Sequence, residues 1–177
     1  MKKAIYLSTF LFTLLLSGCS NDNDDRTLNF SESDIQMKFI VNSYEKNTVA
    51  QWTMQYTGRN ICRFDETTGE IKFQDAPESS SMIALTLKST DRIDFYLGDE
   101  FLFSAKMRSD INSSFYNDVV LYYDLSRDKY FIKDGYPPFK DKDKYPVEQE
   151  QRDENWEKIR TGYQKLIDQL RKEDRIK

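Results

Sequence analysis

Tyrosines and aspartates alternate along one strand-like segment of the sequence, a pattern that could bind a ligand. If residues 115–125 form a strand, one face carries Tyr116, Asp118, Val120, Tyr122 and Asp124. Aromatic rings offer apolar stacking surfaces, and carboxylates accept hydrogen bonds from hydroxyl groups such as those of sugars. The pattern also fits a solvent-facing strand whose tyrosines shield their cross-strand neighbours. The ligand-binding hypothesis, for a glycan, peptide or protein partner, rests on Trp52, Tyr116, Asp118, Tyr122 and Asp124.

The absence of histidine limits the chemistry that this chain could perform. With no histidine in its 177 residues, the chain cannot build a Ser-His-Asp or Cys-His nucleophile or a His-ligated zinc site. Two carboxylates held across a cleft could still form a glycosidase site, but no motif selects such a pair. We therefore expect a protein that is not an enzyme and that holds no cofactor or metal.

The first residues have the parts of a bacterial export signal. Lys2 and Lys3 precede an apolar run from Ala4 to Leu16, which is too short for a membrane span of about 20 apolar residues. The segment Leu16-Ser17-Gly18-Cys19 that ends this run resembles the lipobox of bacterial lipoproteins. The resemblance implies that residues 1–18 are a signal peptide and that Cys19 anchors the mature protein to a membrane through lipid.

A polar, acidic segment, Ser20-Asn21-Asp22-Asn23-Asp24-Asp25, follows this cysteine. It resembles the export signal of bacteroidete-type surface lipoproteins, although it also fits a plain solvated tether. We predict a lipidated tether over residues 19–33 and an outer-membrane location, at the cell surface or facing the periplasm. With Cys19 used for lipid, Cys62 would lack an intramolecular disulfide partner.

The charge balance argues against nucleic acid as a partner. The chain has 26 basic and 30 acidic residues. Removing residues 1–18 takes away Lys2 and Lys3, which leaves 24 basic residues and a net charge of −6. No basic cluster stands out, whereas proteins that bind nucleic acid use clustered lysines and arginines to neutralise phosphates.

Alternation of apolar and polar residues predicts a β domain over residues 34–139. Eight or nine short strands, mostly antiparallel, are expected at about 35–41, 49–56, 61–64, 70–74, 82–88, 93–97, 101–107, 115–125 and 129–133. In the 115–125 strand the predicted core face consists of Phe115, Val119, Leu121, Tyr123 and Leu125. Whether the sheet forms a barrel or a sandwich stays open.

Residues 140–177 predict a charged loop and then an amphipathic helix that runs from Val147 to about Arg175 and packs on the β domain. Pro146 suits its first turn, and Gly162 indicates close packing of the helix backbone. Its apolar stripe, at spacings of three and four, consists of Trp156, Ile159, Tyr163, Leu166, Ile167 and Leu170. This stripe could cover the sheet, or part of it could dock a partner.

Two alternative functions follow from the order of these elements. Antiparallel strands followed by a helix resemble the lipocalins, which implies a carrier that holds a small apolar ligand inside a barrel. Ala50-Gln51-Trp52 stands where that family usually has Gly-x-Trp. The other alternative is a structural or assembly lipoprotein that docks through its C-terminal helix.

Overall fold

The computed structural model describes residues 32–45, 48–74, 90–139 and 141–177. The signal peptide, Cys19, most of the acidic tether and the predicted strand at 82–88 lie outside the described residues. The predicted fold class is confirmed, because the chain forms a mainly β structure with one C-terminal helix. Its strands are β1 (Ile35–Glu45), β2 (Thr48–Thr57), β3 (Ile61–Asp65), β4 (Glu70–Phe73), β5 (Arg92–Leu97), β6 (Glu100–Ser109), β7 (Val120–Asp124) and β8 (Lys129–Lys133). The helix α1 spans Pro146–Lys172, and two 3-10 helices, η1 and η2, span Gly58–Asn60 and Lys142–Lys144.

The eight strands form one curled sheet in the order β2-β1-β5-β6-β7-β8-β4-β3. β2 and β3 end this order, yet only η1 separates them in the chain. In a flat sheet with strands about 4.8 Å apart they would lie more than about 30 Å from each other. The four Cα steps from Thr57 to Ile61 reach roughly 15 Å at most. The sheet therefore curls into a half-barrel that brings its two ends together at η1.

One pair of strands departs from the expected antiparallel order. β6 and β7 are parallel, with Lys106 opposite Val120, so the connection between them must lead the chain back along the sheet. Residues 110–119 form this connection, and the predicted strand at 115–125 is therefore shorter and begins at Val120. Within the connection, Tyr116 makes an isolated bridge with Tyr136.

The apolar stripe of α1 packs on the sheet. Leu166, Ile167 and Leu170 are buried in the main core, and Trp156, Ile159 and Tyr163 pack against that core. A Cβ atom added at Gly162 would lie only 2.3 Å from the carbonyl oxygen of Leu102 in β6. The close packing that this glycine suggested is therefore present.

The chain after α1 differs from the expected continuous helix. The helix ends at Lys172, and Asp174 adopts a left-handed conformation with φ of 56°. Ile176 then forms a parallel bridge with Phe64, while Arg175, 6 % exposed, donates a hydrogen bond to the carbonyl oxygen of Ile61 at 2.7 Å. These last residues pair with β3, an end strand of the sheet, and protect its backbone groups from other partners.

Candidate binding site

The structure buries the strand face that the ligand-binding hypothesis expected to be open. Tyr122 is 9 % exposed and packs with Val120, Phe131 and Tyr136 in a second apolar cluster. Its hydroxyl donates a hydrogen bond to Asp110, and burial together with that carboxylate raises the pKa of Tyr122. Residues from the connections on either side of the β7–β8 hairpin cover this face, so the Tyr122 ring offers no open stacking surface. The expectation of a solvent-facing strand is wrong here.

Asp124 holds the turn between β7 and β8. It is 5 % exposed, and its carboxylate accepts hydrogen bonds from Ser126 Oγ at 2.7 Å and from Arg127 Nε at 2.6 Å. The backbone N–H groups of the same two residues also donate to it. The hydrogen bonds from Ser126 and Arg127 lower the pKa of Asp124 to about 2. Its acceptor positions are used within the protein.

The other predicted residues lie in separate places. Asp118 is exposed, and its carboxylate accepts a hydrogen bond from Asn155 Nδ2 of α1 at 3.0 Å. Trp52 belongs to β2, opposite Val41, and three strands separate β2 from β7 in the sheet order. The side chain of Trp52 lies outside the described part of the structure. Tyr116 is half-buried between charged side chains of β6.

The structure instead forms an exposed group of three aromatic rings, here called the aromatic patch: Phe115, Phe139 and Tyr145. Phe139 stacks on Tyr145 with ring centroids 4.6 Å apart, and Phe115 lies 6.1 Å and 5.9 Å from those two rings. Phe115 is 53 % exposed and Tyr145 is 39 % exposed. The prediction that Phe115 belongs to the core is wrong, because it assumed one strand over residues 115–125, whereas the strand begins at Val120.

A buried arginine holds the aromatic patch in place. Arg152 of α1 is fully buried, with its Cζ atom 3.7 Å from the Phe139 ring centroid. Its guanidinium donates to the carbonyl oxygens of Tyr136 and Pro137, both at 3.0 Å, and to Asn117 Oδ1 at 3.2 Å. Burial lowers the pKa of Arg152, yet an arginine stays protonated in proteins. One side chain thus joins α1 to the two segments that carry Phe115 and Phe139.

An open surface groove lies at the start of α1, which directly follows Tyr145 in the chain. Its volume is about 410 Å³. It lies between η2 and the first turns of the helix, lined by Lys142, Asp143, Pro146, Gln149, Glu150, Asp153 and Glu154. Carboxylate and amide groups for hydrogen bonding therefore line the surface at the start of α1, which directly follows Tyr145 in the chain.

The sequence contained a weak signal for this site. Tyr136-Pro137-Pro138-Phe139 and Tyr145-Pro146 combine aromatic residues with prolines outside the alternating strands, where a ring has no sheet face to cover. The contact of Phe115 with Phe139 and Tyr145 could not be predicted from the sequence, because it depends on the path of the chain between β6 and β7.

Cys62 differs from its expected state, because the structure gives it as disulfide-bonded. The sequence holds one other cysteine, Cys19, which lies outside the described residues. An intramolecular disulfide of Cys62 and a lipid thioether on Cys19 exclude each other on one molecule.

Comparison of the chain with protein-family models, curated proteins and solved structures finds no match. In the part of the chain that the structure describes, no helix has the length and apolar character needed to cross a membrane. The same residues contain no group of three or more acidic or cysteine side chains arranged to hold a metal ion.

Proposed function

We propose that this chain is a lipid-anchored outer-membrane protein whose folded domain binds a glycan, without catalysis, on the aromatic patch. The contacting rings of Phe115, Phe139 and Tyr145, of which Phe115 and Tyr145 are exposed, carry this proposal. Contiguous exposed apolar groups often mark the binding surfaces of proteins. The carboxylates at the start of α1, just after Tyr145 in the chain, favour a ligand rich in hydroxyl groups over a purely apolar one.

The two alternatives from the sequence have less support in the geometry. The described interior of the half-barrel is filled by the main core, including Leu166 and Leu170 of α1, and the parallel β6–β7 pair departs from the up-and-down strand order of a lipocalin. The apolar stripe of α1 contacts the sheet along its length. A partner helix would therefore have to dock on the polar side of α1.

Binding is tested with the full chain, extracted from membranes in neutral detergent and applied to an array of polysaccharides and oligosaccharides. We expect retention on at least one glycan, and loss of that retention on Phe115→Ala. The matched control is Phe101→Ala, because Phe101 is 52 % exposed but belongs to β6, away from the aromatic patch. Equal retention of both variants, or no retention of the native chain, would overturn the proposal.

The anchor is tested separately by mass spectrometry of the membrane-extracted chain. We expect a lipid-modified peptide that begins at Cys19, and no such peptide in a Cys19→Ser variant. The opposite result would be an unmodified Cys19 peptide linked to a Cys62 peptide in the native chain and separated from it by reduction. That result would establish the disulfide and contradict the anchor.

A further inference from the structure

Two positively charged side chains of β6 contact the same tyrosine ring. Lys106 Nζ lies 4.7 Å and Arg108 Cζ 3.7 Å from the centroid of the Tyr116 ring. Lys106 Nζ is also 3.5 Å from the Tyr116 hydroxyl oxygen. Residues two apart on a strand project from the same face, so two like charges are held next to each other at one ring.

Neither of these two cations pairs with a carboxylate among the residues that the structure describes. The carboxylates of the surrounding surface have other partners: Asp94 forms an ion pair with Arg92 at 2.8 Å, and Asp110 accepts the hydroxyl hydrogen of Tyr122. The whole chain has 30 acidic and 26 basic residues, so a shortage of acidic residues does not explain the arrangement. Two positive charges at one ring, with no carboxylate partner in the described part of the chain, favour the binding of an anion.

The local charge and the free donors agree with an anion site. Burial alone would raise the pKa of Tyr116, but the charges of Arg108 and Lys106, together with hydrogen bonds from both side chains, outweigh this effect and lower the pKa. Arg108 donates one hydrogen bond to the carbonyl oxygen of Met107. A guanidinium has five N–H donors, so Arg108 keeps further donors in the fork geometry that suits a carboxylate or sulfate.

This site adjoins the aromatic patch. Tyr116 contacts the two cations, and Phe115, the residue before it, belongs to the patch. Side chains of consecutive residues in an extended segment point to opposite sides, so a ligand that contacts both places must be an oligosaccharide of several sugar units that passes around the backbone at these residues. A single neutral sugar on the aromatic patch would leave Lys106 and Arg108 without an anionic partner.

We infer that the glycan is acidic, and that a carboxylate or sulfate group binds to Lys106 Nζ and the Arg108 guanidinium beside the Tyr116 ring while another sugar unit of the same ligand lies on Phe115. This inference rests on the proposed glycan binding. It adds a ligand class, negatively charged polysaccharide, and two binding residues, Lys106 and Arg108.

The test compares pairs of polysaccharides that differ in charge. The full chain in neutral detergent is passed over immobilised polygalacturonate and its methyl ester, and over dextran sulfate and dextran. Preference within the first pair identifies a carboxylate, and preference within the second a sulfate. We expect the charged member of one pair to bind about tenfold more tightly, as one charge-assisted contact predicts. The double variant Lys106→Gln/Arg108→Gln should lose this preference.

The control is the double variant Lys158→Gln/Arg160→Gln, which removes two exposed charges from α1 and should keep the preference. Loss of the preference in both variants would show general charge attraction and would overturn the site. Equal binding within both pairs, still abolished by Phe115→Ala, would overturn the acidic ligand but leave the proposed glycan binding intact. Charge preference that survives Phe115→Ala would instead support the anion site and contradict the role of the aromatic patch.

Discussion

Arg152 shows how a single buried charge can organise a surface. Its guanidinium is fully buried and bonded to the backbone carbonyls of Tyr136 and Pro137. Arg152→Met keeps much of the side-chain volume but removes the Arg152 hydrogen bonds to Pro137 O and Asn117 Oδ1, while Tyr136 O keeps its bond from the Tyr116 N–H, so we expect the free energy of unfolding to fall by about 2–4 kcal/mol. Urea denaturation measures this change. Arg160→Met, which alters an exposed arginine of the same helix, should change it by less than about 1 kcal/mol, and equal effects would contradict the role assigned to Arg152.

The lowered pKa of Asp124 should make the free energy of unfolding depend on pH. Its pKa is about 2 in the folded protein, against about 3.9 in an unfolded chain. Because the folded pKa is the lower one, the carboxylate stabilises the fold above about pH 4, and this contribution disappears as the pH falls to about 2. Asp124→Asn should therefore be less stable than the native chain at pH 6, and the difference should shrink between pH 4 and pH 2. Parallel curves of unfolding free energy against pH would contradict this role.

At the scale of elements, the contact between α1 and β6 depends on Gly162. Alanine is normally the better helix residue by about 1 kcal/mol, but its Cβ would lie 2.3 Å from the carbonyl oxygen of Leu102. We expect Gly162→Ala to lower the free energy of unfolding by about 1–3 kcal/mol, because the helix must move away from the sheet. Urea denaturation measures this change. The variant Thr161→Ala, at an exposed neighbouring position, separates the effect of helix propensity from that of the contact with Leu102. A stabilised Gly162→Ala variant would mean that the helix packs less closely.

The elements themselves could be predicted wherever one face of the chain meets one core. The spacing of Leu166, Ile167 and Leu170 records the contact between α1 and the sheet, so the stripe was readable. The burial of Tyr122 could not be predicted in this way. Alternation shows that the two faces of a strand differ, but it does not show that a second layer of residues covers one of them. The aromatic patch depends on contacts between residues far apart in the chain, Phe115 and Tyr145, which no local spacing encodes.

At the scale of the whole molecule, the proposed glycan binding has a consequence for location. Large polysaccharides remain outside the outer membrane, so a domain that binds them should be displayed on the cell surface. We expect added protease to digest the protein on intact cells while a periplasmic marker protein remains intact. Replacing Asp22, Asp24 and Asp25 by asparagine removes the acidic run but keeps the proposed anchor at Cys19. This variant should stay in the membrane fraction and become protected from the protease. If the protease digests the variant as it digests the native chain, the acidic run is a plain tether. If the native chain itself is protected, the domain lies in the periplasm, and its ligand would have to be a shorter glycan.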